Sequence, residues 1–150
     1  MRVSGSLTLT QIVLIAGLRL AAATIALGWG LGAFPLVMPD AALWEWLGVL
    51  AGSPLPYEPT LAYWVRMAAC VCLLISMLAG WVAVDPKGSG PVAAVLAVFQ
   101  VVTGLMLFGW GFALGLPTWP WIADVGFCLG SGIALGGCLI GVRLMSGKSA

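Results

Sequence analysis

The sequence predicts an all-helical integral membrane protein: four transmembrane helices in an up-and-down bundle, with a short interfacial helix in the first outer loop. Three observations carry that prediction. Of 150 residues, 62% are hydrophobic and only 7% are charged, whereas a soluble domain is about a quarter charged because water must cover its surface. Arg19 to Asp40, Arg66 to Asp85 and Asp124 to Arg143 each enclose a run without charge, close to the about 20 residues a helix needs to cross roughly 30 Å of hydrocarbon. No run shows the strict alternation of a membrane β-barrel strand.

The spans are placed at Gln11–Phe34, Ala62–Val84, Pro91–Leu114 and Trp121–Leu144, within one transmembrane domain covering residues 1–150. Phe34-Pro35 and Met38-Pro39 end the first span, because a residue before proline is pushed out of the helical region. Asp85-Pro86-Lys87-Gly88-Ser89-Gly90 is a tight polar turn, and Pro91 suits a first helical turn. Gly115 to Pro120 joins the third and fourth spans. Both connections are short, so the helices they join run antiparallel. The connection from Val37 to Leu61 has room for a helix over residues 41–51, with Asp40 as its N-cap and Gly52-Ser53-Pro54 as its stop. Leu43, Trp46, Leu47 and Leu50 recur there at helical spacing, so this helix is expected to lie flat among the headgroups. The run before Arg19 has the look of a signal peptide, but Arg19 stands where cleavage would fall, and the segment is read as retained.

Orientation follows from the cations. Arg2, Lys87, Arg143 and Lys148 share one side, while Asp40, Glu45 and Glu58 mark the other, so the positive-inside rule puts both termini in the cytoplasm, as in a bacterial inner membrane. Trp44, Trp46, Trp64, Trp119 and Trp121 gather toward the outer end. They form either an interfacial belt or a surface that docks a partner or pigment ring.

Several chemistries are excluded. There is no histidine, which removes bis-His haem anchoring, a His-based zinc site and Ser–His–Asp catalysis by this chain alone. No phosphate-binding Gly-Lys-Ser/Thr loop occurs. A net charge of +1 offers nucleic acid no patch. Cys70, Cys72, Cys128 and Cys138 all lie within apolar runs, unlike a disulfide framework. Catalytic and metal sites are therefore not expected, and neither is a cofactor beyond lipid or a flat apolar pigment.

Charge within a span is costly and marks candidate function. Arg66 and Asp124 enter their spans from the outer face at matching depth, and an intramembrane pair between them would neutralise both. Cys70 and Cys128 follow one turn deeper, each four residues after its charge. Two thiols under a charged pair suggest a redox or soft-metal site, against plain packing. Cys72 points away from Cys70, since two residues turn a helix by about 200°. With the first span at Gln11–Phe34, Arg19 falls in the inner leaflet within reach of lipid phosphates; with a span starting at Arg19, Leu7–Leu18 is an apolar extension to be covered by lipid or a partner chain. Gln11, Gln100 and Thr103 are the remaining polar groups at depth, expected to hydrogen-bond between helices. Leu18-Arg19-Leu20-Ala21-Ala22 beside Val65-Arg66-Met67-Ala68-Ala69 is a faint internal repeat, too short to establish an inverted-repeat transporter.

The last span is rich in small residues. Gly126, Gly130, Ala134, Gly137 and Gly141 are candidates for helix packing or a partner face, and Gly132 and Gly136 lie on another. Gly28 and Gly32, and Gly111 and Gly115, repeat the four-residue spacing elsewhere. In lipid, close approach at glycine is a principal means of helix association. The leading expectation is a non-catalytic accessory or assembly subunit of a larger membrane complex of energy-transducing, respiratory or photosynthetic type. Its partners would be other subunits or a second copy, with lipids. The alternatives are a small homo-oligomeric transporter or channel built on Arg66 and Asp124, and a membrane thiol redox protein using Cys70 and Cys128.

Overall fold

A computed structural model describes residues 8–116 and 118–146. Arg2 and Lys148, which enter the orientation argument, lie outside the described residues, as does Pro117. The described residues are all-helical, with α1 over Leu9–Gly32, α2 over Asp40–Ala51, α3 over Pro59–Val84, α4 over Gly90–Ala113 and α5 over Thr118–Ser146. Four of the five are long and apolar enough to cross a membrane. The expected spans agree with them to within three residues at every end.

Local chemistry sets the ends. The α1 start is a reciprocal cap: Gln11 N–H donates to Thr8 Oγ1 at 3.3 Å and Thr8 N–H donates to Gln11 Oε1 at 3.0 Å. Gln11 is thus part of a helix start and not a polar group at depth. After Gly32 a short 3-10 turn, Phe34–Leu36, carries Pro35. In α2, Asp40 is the first helical residue and Pro39 the N-cap, so Asp40 does not cap the helix; its carboxylate is engaged elsewhere. Gly52 ends α2 at φ +70, a left-handed conformation that glycine adopts without cost. Trp119 has ψ 136 because Pro120 follows it, which fixes where the regular helix of α5 begins.

Two compact units divide the chain, with boundaries inside α1 and α3 and no linker between them: residues 26–77, and residues 1–25 with 78–150. In the first unit, the end of α1 runs antiparallel to α3. Ser76 Oγ donates to Ala26 O at 2.7 Å, and a Cβ at Gly32 would lie 3.0 Å from Cys72 Sγ. Leu43 of α2, with Ala62, Ala69 and Ile75 of α3, is buried. In the second unit, α4 and α5 run antiparallel along their length. Gly104 meets Leu129, Gly111 meets Trp121 and Gly132 meets Gln100. The first part of α1 lies antiparallel to α5, with Gly17 against Cys138 and Leu14 against Gly141. Leu18, Ala22, Ile25, Ala93, Leu96 and Leu135 form the buried core.

Candidate functional site

Arg66 lies seven residues into α3, so about 10 Å along it. Its guanidinium donates to Asp40 Oδ1 at 2.6 Å and to Met38 O at 3.0 Å. Asp124, the partner expected from matching depth, belongs to the other compact unit; within residues 26–77 the partner of Arg66 is Asp40. The reason is reach: a long arginine side chain near a span end turns toward the polar connection, where a carboxylate and a carbonyl are at hand. Sequence depth alone could not rank an acid in the loop above one on another helix. The contact ties the start of α2 to α3. Both side chains remain partly exposed, at 36% and 52%, so a double-mutant cycle of Asp40→Asn and Arg66→Gln should return a coupling of only about 0.5–1 kcal/mol, reduced by salt. A coupling of zero would remove the pair's structural role.

Asp124 is exposed on α5, and Cys128, four residues on, is buried against Gly104 of α4. Cys70 is exposed on α3, and all four cysteines are free thiols. Among the described residues, no three Cys, Asp or Glu side chains group closely enough to hold a metal. Arg19 is exposed on α1, in the half that carries Leu14 and Gly17. Gln100 is fully buried and donates through Nε2 to Ser131 Oγ at 2.9 Å, which in turn donates to Cys128 O. Ser131 is the partner that the sequence reading of Gln100 lacked.

The tryptophans expected at the outer end divide. Trp46, Trp64 and Trp119 are exposed. Trp44 is half-buried, edge-on to Tyr57 at 5.5 Å. Trp121 is half-buried against Phe108 and Phe112 and donates from Nε1 to Leu116 O at 3.3 Å. Three tryptophans are thus left for lipid headgroups or a partner, and two hold their own units together.

The glycines of α5 sort by face. A Cβ at Gly132 would meet Gln100, Val101 and Ala97 of α4, and one at Gly141 would meet Leu14 of α1. Ala134, together with Gly126 and Gly130, lines a shallow groove of about 440 Å³ with Gly17, Ala21 and Thr24 of α1. Gly126, Gly130 and Gly137 have no atom within 4 Å of where a side chain would begin. Ile133, Ile140 and Leu144 are 60–66% exposed beside them. Together these six positions recur at alternating intervals of four and three, which keeps one straight seam on a helix facing a neighbour. That spacing is present in the sequence, but it is visible as a seam only once burial removes Gly132, Gly136 and Gly141 from it.

Comparison of the chain with protein-family models, with curated proteins and with solved structures finds no match.

Proposed function

We propose that this multi-pass membrane protein is a non-catalytic accessory or assembly subunit whose α5 seats against a helix of a larger membrane complex. The observation that carries the reading is the open seam of Gly126, Gly130 and Gly137 interleaved with Ile133, Ile140 and Leu144. Small residues let a second backbone approach, and the large ones between them fill its grooves. Glycines facing only lipid gain nothing from their lack of a side chain. Lys87 and Arg143 at the end of the bundle that holds the α3–α4 turn support a cytoplasmic placement of that end, and with it of both termini, in a bacterial inner membrane. The alternative reading is a small homo-oligomeric transporter or channel built on Arg66 and Asp124; within its own unit Arg66 is engaged by Asp40 and Met38.

The test is purification of the tagged protein from its native membrane in mild detergent, alongside Gly130→Leu and a control, Leu105→Ala, at an exposed position of α4. The expected result is a protein partner in fixed ratio, retained by the control and bound at least tenfold more weakly by Gly130→Leu, while helicity and unfolding stay at wild-type values. Recovery of the chain alone, or a partner indifferent to Gly130→Leu, would overturn the reading.

A further inference from the structure

At the end of the second unit that holds the α3–α4 turn, a cavity of about 480 Å³ opens between the start of α1, that turn and the end of α5. Its lining is graded along the helix axes. Gln11 and Arg143 stand at the rim with Lys87 of the turn, and Ile15 and Leu139 lie four residues deeper on the same two helices, beside Val142. Four residues are about 6 Å of helix rise, the step from a headgroup to the first carbons of a lipid tail. Lys87 makes no hydrogen bond or ion pair with another described residue. Arg143 makes one long contact, from Nη2 to Gly90 O at 3.5 Å, which leaves most of its five donors open. Gln11 spends its Oε1 on the helix cap and keeps its Nε2 to donate. The nearby acid, Asp85, is turned back into its own turn, accepting from Gly88 N–H at 3.0 Å.

We infer that this cavity binds an anionic phospholipid, with the phosphodiester between Lys87 and Arg143 and the upper part of an acyl chain along Ile15, Leu139 and Val142. The phosphate is the chemistry two cations and an amide donor recognise. The apolar floor directly beneath assigns that phosphate to a lipid and not to a free anion, because a soluble ion would leave the floor to water. Basic pockets between helices at a membrane face commonly hold such headgroups.

The full-length protein in detergent is titrated with dioleoylphosphatidylglycerol, with dioleoylphosphatidylcholine and with inorganic phosphate, and bound lipid is counted by native mass spectrometry. Phosphatidylglycerol should bind more tightly than phosphatidylcholine. Lys87→Gln and Arg143→Gln should each weaken phosphatidylglycerol roughly fivefold, the value of one surface cation, and leave phosphatidylcholine unchanged. Arg143→Lys should keep most of the preference, and millimolar phosphate should not displace the lipid. Lys87→Gln alters an exposed turn residue, so it keeps the test intact should Arg143→Gln fold poorly. Equal binding of the two lipids, an unchanged preference in the glutamine variants, or displacement by phosphate would overturn the inference.

Discussion

Gly132→Ala is expected to destabilise the α4–α5 pair by roughly 1–3 kcal/mol, the ordinary cost of forcing a methyl into a filled interface. The new Cβ would stand 2.9 Å from Gln100 Cβ and 3.1 Å from the backbone oxygen of Ala97. Neither atom is the free end of a flexible chain, so relief requires the helices to part, which also lengthens the Gln100–Ser131 hydrogen bond. Gly104→Ala should also be costly, because its Cβ would stand 2.7 Å from the branching Cγ of Leu129 and 3.2 Å from Cys128 Cβ. Gly137→Ala, with nothing within 4 Å, should be nearly neutral. Unfolding in a titration of denaturing detergent orders the three variants. Gly137→Ala as costly as Gly132→Ala would show that the loss reflects glycine in general and not this interface.

The second large effect is expected at the other end of the same pair. A Cβ at Gly111 would fall 2.6 Å from Trp121 Cδ2 and Cε3. The indole cannot swing aside freely, since Phe108 and Phe112 flank it and Leu116 O holds its N–H. Gly111→Ala should therefore cost a comparable 1–3 kcal/mol in the wild-type background. In a Trp121→Leu background, whose smaller side chain vacates the space, the same change should cost little. A cycle of the two substitutions measures the difference. Equal costs in both backgrounds would show that the ring does not set the spacing of α4 and α5.

These two sites show what the sequence could and could not convey. Gly111 and Gly132 stand out in it as members of four-residue small-residue patterns, but Gly126, Gly130 and Gly137 stand out equally. Which glycines touch a neighbour depends on how α5 is rotated about its axis, and a helix with glycine on several faces leaves that rotation undetermined. Arg66 was legible as a costly charge near a span end. Its partner was not, because side-chain reach into a loop depends on where that loop folds back. Trp121 and Trp119 differ by two letters and by burial, a distinction set by Pro120 restarting the helix between them.

Scarcity of charge, the lengths of the uncharged runs and the positions of proline and glycine determined four spans, their ends and the short helix between the first two from sequence alone. They do so because hydrocarbon admits only backbone that satisfies its own hydrogen bonds, so length and polarity leave one solution. The tertiary structure decided the rest: Arg66 with Asp40, Gln100 with Ser131, the open seam on α5, and the graded cavity between Lys87 and Arg143. Those depend on helix rotation and register, and in a chain that is apolar nearly all round, no amphipathic face declares them in advance.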